Sequence, residues 1–193
     1  MPLQHYLPAT YLAFFSYDNT GRRRERRLFV GDKHSKKIFL DKTGNICGIN
    51  NLYKTTLMDG IDIDKSWSYY EAELDLAIEL LINQNISALA WAKVLVPFVT
   101  GLLIRGPDFS NRLINRFQDL GEIGKRADSN IGRMFELQRL LPIIATAKWI
   151  VFEMNGFPEL ITNDLGYIPF RSRKSCETGM AIPIGKKDRK SVV

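Results

Sequence analysis

Five arginines in six residues, Arg22-Arg23-Arg24-Glu25-Arg26-Arg27, are the densest block of functional chemistry in this chain. A guanidinium binds phosphate through paired N–H groups, so the run can engage a phosphate backbone. A cationic run is also what an edge strand or polar loop carries to discourage sheet-to-sheet association. The sequence leaves both readings open. Only two histidines are present, His5 beside aromatic residues and His34 within a polar stretch. His5 admits a structural or an acid–base role, and His34 reads as an exposed loop residue. Glu71 borders an apolar helical stripe, where a carboxylate either meets a buried arginine or reaches solvent.

Most catalytic templates are missing. There is no G-x-S-x-G, phosphate-binding loop, H-E-x-x-H or dinucleotide fingerprint. Two histidines make a His-rich metal site unexpected, no metal ligands are assigned, and the residues name no cofactor. The run DGIDID at 59–64 lacks the ligand order and distal glutamate of a calcium loop. Cys47 and Cys176 form neither a metal spacing nor a disulfide framework. Reduced thiols, with no recognisable signal peptide in residues 1–15, predict a cytoplasmic protein.

A length of 193 residues, 45% hydrophobic and 25% charged, suits one soluble globular domain. The net charge of +6 is uneven. Residues 1–54 carry ten Lys/Arg against four Asp/Glu, residues 55–104 two against seven, and residues 105–193 fifteen against ten. An acidic middle between basic ends fits internal complementarity, or an anionic partner such as nucleic acid.

The elements that position these residues follow from periodicity. Ile86 to Ile104 is the most apolar run, predicted as a buried helix capped by Asn85 and kinked at Pro97. Its nineteen residues are long enough for a membrane span, but Lys93 and Pro97 argue against stable insertion. Before it, Trp67, Tyr70, Leu74, Ala77, Ile78 and Leu81 predict one helix from Lys65 or Ser66 to about Asn83. After it, Gly106 and Pro107 predict a helix end and a new start. Leu113, Ile114, Phe117 and Leu120 form the third apolar face. Asp128 or Ser129 caps a fourth helix with Ile131, Met134, Phe135, Leu137, Leu140 and Leu141 apolar, ended or kinked at Pro142.

Leu28–Val30 and Ile38–Leu40 predict a β-hairpin, and Tyr11 to Phe15 a short docking helix or turn. Trp149–Phe152, Leu160–Thr162 and Met180–Ile184 predict C-terminal strands, with another beginning at Val192. The fold class is therefore α+β. An N-terminal segment with its hairpin (1–58) precedes a central four-helix core (65–147), and C-terminal antiparallel strands (148–193) complete a single domain.

Several of these pieces, in order, resemble the domain-of-unknown-function 4238 family. The opening Gln4-His5-Tyr6 with Tyr11-Leu12 and Phe14-Phe15 is similar to its start, and Leu28 to Leu40 to its strands. Tyr53 and Glu71 fall where the family has an aromatic loop end and a helical glutamate. Leu103 to Phe109, Trp149, Leu160 to Asp164 and Ala181 to Ile184 resemble its later elements. Leu165-Gly166 departs from the usual continuation, and against the family pattern the chain reads as C-terminally short.

The resemblance implies a polar set of Gln4, His5, Glu71, Arg105, Thr162 and Asp164. Arg105 at a helix end can pair with Glu71 or hold a phosphate, and His5 can exchange protons near Asp164. Three functional expectations result. The first is an enzyme acting on nucleic acid or another phosphate-bearing substrate, with His5, Glu71, Arg105 and Asp164 converging and Gln4 and Thr162 binding. The second is a non-catalytic nucleic-acid- or protein-binding module, of a defence- or toxin-associated kind, using Arg22, Arg23, Arg24, Arg26 and Arg27. The third is a membrane-associated protein, which needs the run at 86–104 left uncovered.

Overall fold

The computed structural model describes residues 3–18, 20–53, 63–109, 111–112, 126–152, 162–171, 178–184 and 191–192. The fold is α+β, with strands at both ends of the chain and helices between. It divides into two compact units, Met1–Tyr6 with Ile49–Ala147, and Leu7–Gly48 with Lys148–Val193.

The first unit is helical, with one short strand pair. Strand β1 (Leu3–His5) pairs with the chain around β4 (Gly48–Asn50). The helix predicted to run unbroken to Asn83 is two: α2 (Ile63–Glu71) and α3 (Leu74–Ile82). The break is a tightened step in which the Glu73 N–H bonds the Tyr70 carbonyl at 3.2 Å. Such a step barely moves the buried face, so the apolar stripe reads straight through it. Ile63, Trp67, Tyr70, Leu74, Ala77, Ile78 and Leu81 are all buried.

Helix α3 closes with Gln84 left-handed (φ 56) and the Asn85 N–H bonded to the Leu80 carbonyl at 2.8 Å. The cap of the next helix is not the expected Asn85 but Ser87, whose hydroxyl accepts from the Ala90 N–H at 3.1 Å. The central rod then comprises α4 (Ala88–Ala90), a π-helical turn at Trp91–Leu95 and α5 (Val96–Arg105). Pro97 falls in the first turn of α5, directly after the π turn. A proline and a π turn, both features that bend a helix, thus coincide where the kink was expected.

By length and composition Ala88–Arg105 could cross a membrane, and 56% of it is buried in the protein. Burial begins at Val94: Val94, Leu95, Val96, Phe98, Val99, Leu102 and Ile104 are covered, whereas Leu89 is exposed. Helix α5 packs on α2 and on α6 (Arg126–Thr146). Helix α6 begins at Arg126 and runs on through Pro142. Of the third predicted helix, residues 108–109 and 111–112 are helical; Leu113, Ile114, Phe117 and Leu120 lie outside the described residues.

The second unit is built on α1 (Ala9–Leu12), continued by a 3-10 turn at Ala13–Phe15, and on two β systems. The predicted hairpin is β2 (Arg27–Asp32) against β3 (Lys37–Lys42), antiparallel, with Phe29 opposite Leu40 and Gly31 opposite Ile38. The C-terminal sheet has the order β5 (Val151–Phe152), β8 (Ser191–Val192), β7 (Thr178–Pro183), β6 (Ile168–Arg171), all antiparallel. Strand β6 is absent from the sequence reading. It holds Pro169 at a sheet edge, the position where a residue without an N–H is tolerated. Of the strand expected at Leu160–Thr162, only Thr162 is described, and it is not in a strand. Cys176 also lies outside the described residues.

The Tyr11 hydroxyl gathers this unit. It donates to the Pro183 carbonyl at 2.7 Å and the Gly166 carbonyl at 3.2 Å, and lies 3.1 Å from the Thr162 hydroxyl.

Candidate functional site

Two buried arginines organise the helical unit. Arg105, the last residue of α5, is 2% exposed. Its Nε donates to the Tyr53 hydroxyl at 3.1 Å and Nη1 to the Tyr70 hydroxyl at 3.3 Å. Nη1 also meets the Glu71 carboxylate in an ion pair, and Nη2 reaches the His5 carbonyl at 2.5 Å. The guanidinium carbon lies 5.2 Å from the Trp67 ring centre and 5.8 Å from that of Tyr53.

The partners are delivered by three elements: His5 by β1, Tyr53 by the chain at Leu52–Tyr53, and Tyr70 and Glu71 by α2. The Tyr53 hydroxyl in turn donates to the His5 carbonyl at 3.1 Å, and the Gln4 side-chain oxygen accepts the Tyr53 N–H at 2.7 Å. Gly101 lies one turn before Arg105. A Cβ there would sit 2.6 Å from the Tyr70 hydroxyl, so the bare backbone is what lets Tyr70 approach.

Burial opposes the charge on Arg105. The phenol oxygens of Tyr53 and Tyr70 and the Glu71 carboxylate outweigh that, holding its pKa well above the ordinary value. Burial pushes the Tyr70 phenol up to about 12, and raises Tyr53 as well, in both cases against the nearby guanidinium of Arg105.

The second arginine, Arg133 on α6, is also buried. Its Nε donates to the Ile104 carbonyl at 3.0 Å, Nη2 to the Gly106 carbonyl at 3.4 Å and Nη1 to Asn130 Oδ1 at 2.6 Å. Asn130 passes the network on to the Leu52 carbonyl at 3.3 Å. The Arg133 guanidinium faces the Tyr53 and Phe109 rings at 5.9 and 5.4 Å. Both arginines therefore flank Tyr53, and Arg133 satisfies carbonyls at the end of α5.

The family model described as "Protein of unknown function (DUF4238)" matches residues 3–175. The chain belongs to the DUF4238 family. No match was found among curated proteins or among solved structures.

In this DUF4238 protein the residues singled out from sequence fall into three places. Gln4, His5, Glu71 and Arg105 come together in the first unit, with Gln4 acting through its amide oxygen and His5 through its carbonyl. Thr162 and Asp164 belong to the second unit. Thr162 meets Tyr11, and Asp164 is exposed in a turn organised by Asn163, whose side-chain oxygen accepts the Leu165 and Gly166 N–H groups at 3.1 and 2.9 Å. Among the described residues no group of three or more His, Cys, Asp or Glu is placed to hold a metal ion.

The arginine run is the third place. Arg22, Arg24 and Arg27 are exposed, while Arg23 and Arg26 are half-buried. The backbone beneath them is fixed. Carbonyls of Arg23, Arg24 and Arg26 accept from the Thr43 hydroxyl (2.5 Å), the Gly44 N–H (3.0 Å) and the Thr43 N–H (2.9 Å) respectively. A Cβ at Gly44 would meet the Arg24 carbonyl oxygen at 2.9 Å.

Sequence reading missed Arg133, Asn130 and the role of Gly101. The one available signal was the spacing of Asn130, Arg133, Leu137 and Ile144, which shares a helical face.

Buried phenols give this protein a defined alkaline limit. Burial raises Tyr53, Tyr70 and, against the Thr162 hydrogen bond, Tyr11. A folded pKa above the unfolded value of about 10 means the native state keeps its protons longer. For Tyr70 this stabilisation is complete below pH 10 and is lost as pH rises from there through about 12; that of Tyr53 and Tyr11 is lost in the same direction. For Tyr70 the loss is on the order of 2–3 kcal/mol. Phenolate absorbance followed with circular dichroism should show a group of tyrosines ionising only together with unfolding. Full ionisation while the helical signal persists would contradict their burial.

Proposed function

We propose that this protein is a binding module for nucleic acid, engaged through Arg22, Arg24 and Arg27 with their neighbours. The observation that supports this reading is a contrast between two sets of arginines. Four of the five Arg105 N–H donors have protein acceptors, and the residue is buried. The run at 22–27 instead presents charge to solvent on a backbone pinned by Thr43 and Gly44. An enzymatic use of His5, Glu71 and Arg105 on a phosphate would first have to break a satisfied network. A phosphate backbone meeting the exposed run competes with surface contacts alone, the exposed ion pairs Arg27–Asp18 and Lys42–Glu25.

The test is fluorescence anisotropy of a labelled oligonucleotide with the full chain, titrated with salt. Binding should weaken linearly in log–log form. Replacing Arg22 and Arg24 together by alanine should flatten the slope by about 1.4. Absence of binding at low salt, or an unchanged slope in the double variant, defeats the reading. Turnover of the oligonucleotide that is lost in Glu71→Gln would favour the enzymatic alternative.

A further inference from the structure

Alternation along the hairpin sorts its side chains into two faces. Leu28 on one face is buried. The opposite face carries Arg27, Phe29 and Gly31 from β2 beside Lys42, Leu40 and Ile38 from β3. That face is open to solvent: Phe29 is 63% exposed, Ile38 78% and Leu40 39%. Tyr17, itself exposed, stands edge-on to Phe29 with ring centres 5.7 Å apart and fixes one side of the strip. A Cβ at Gly31 would meet nothing within 4 Å, so the backbone beside Ile38 is bare.

The charge around this strip is as uneven as its polarity. Residues 20–42 contain nine Lys/Arg and three Asp/Glu, a net +6 that equals the charge of the entire chain. Cations stand at both ends of the apolar strip, Arg27 and Lys42 at one, in exposed ion pairs with Asp18 and Glu25, and Lys36 in the turn at the other; Lys37 alternates to the opposite face. The apolar stretch between spans about 10 Å.

We infer that this hairpin face takes unpaired nucleic acid, with bases laid on Phe29, Tyr17 and Ile38 and phosphates held by the flanking Arg and Lys. The inference rests on the nucleic-acid reading and names its substrate class. A duplex offers phosphates to the cations but hides its base faces, leaving Phe29 and Ile38 wet. An unpaired strand covers both kinds of surface at once, because every base has a face to stack and any sequence will serve. The hairpin tip is polar, with Lys33, His34, Ser35 and Lys36, so the apolar residues lie along a flat face and not at a protruding end that would enter lipid.

The experiment compares one labelled oligonucleotide as a single strand and as a duplex, at matched salt, with the full chain. Single strand should bind at least tenfold more tightly. Phe29→Leu removes the ring and keeps an apolar side chain. It should weaken single-strand binding about tenfold while leaving duplex affinity and the salt slope unchanged, and Phe29→Trp should restore it. Equal affinity for duplex and single strand, or an unaffected Phe29→Leu variant, overturns this inference while leaving the nucleic-acid reading standing. No binding of either form overturns the nucleic-acid reading itself. Co-sedimentation with phosphatidylserine vesicles that Phe29→Leu abolishes, without oligonucleotide binding, assigns the face to lipid and overturns both.

Discussion

Replacing Arg105 by methionine is expected to destabilise the protein by about 3 kcal/mol, a fall in melting temperature of roughly 6–12 °C for a chain of this size. Methionine fills much of the same volume, so the loss is polar. The Tyr70 hydroxyl loses its charged donor, and the His5 carbonyl loses one while keeping the Tyr53 hydroxyl. Glu71 behaves differently from these partners, because its side chain is 21% exposed and can turn to water. Glu71→Gln should therefore cost 1 kcal/mol or less. Arg105→Lys should fall close to methionine, since one ammonium cannot span Tyr53, Tyr70 and His5 together. Urea unfolding of the three variants measures the order. A Glu71→Gln variant as unstable as Arg105→Met would place the weight on the ion pair and refute the account of Arg105 as a hub for neutral acceptors.

The same residues show what a sequence can and cannot disclose. The apolar stripes of α2 and α3 and the hairpin follow from local periodicity, and each is present; the central run, read as buried from Ile86 to Ile104, is covered only from Val94 onward. Glu71 at the margin of its stripe was legible as the partner of a buried arginine. What periodicity cannot carry is the company Arg105 keeps, because His5, Tyr53 and Tyr70 lie 100, 52 and 35 residues away along the chain. Which acceptors meet the Arg105 guanidinium is visible only once those distant segments are folded together. The cap expected at Asn85 is instead Ser87, because the helix starts at Ala88 and it is the Ser87 hydroxyl that reaches the Ala90 N–H. In α6 the usual inference runs backwards. Phe135 is 66% exposed while Asn130 and Arg133 are buried, so a helix read by its hydrophobic residues alone includes an outward ring and omits its two most buried polar side chains. Arginine in a helix normally signals solvent, and only burial against the carbonyls of Ile104 and Gly106 makes it a core residue here.

That inversion makes Arg133 the second site of large effect. Arg133→Met should cost about 2–4 kcal/mol, because it strips donors from the Ile104 and Gly106 carbonyls at the end of α5 and from Asn130, all within the buried unit. Arg133→Lys should recover less than half of this, since a lysine can serve one of the three acceptors well but not all in their fixed directions. The effect should also couple to Arg105. Both guanidinium groups lie within 6 Å of the Tyr53 ring centre, and both brace the end of α5, so losing the first loosens what the second holds. The double variant Arg105→Met/Arg133→Met should accordingly cost less than the sum of the singles by about 1 kcal/mol. A double-mutant cycle by urea denaturation measures this directly. Strict additivity would show two independent buried cations, and the picture of one network centred on Tyr53 would have to be abandoned.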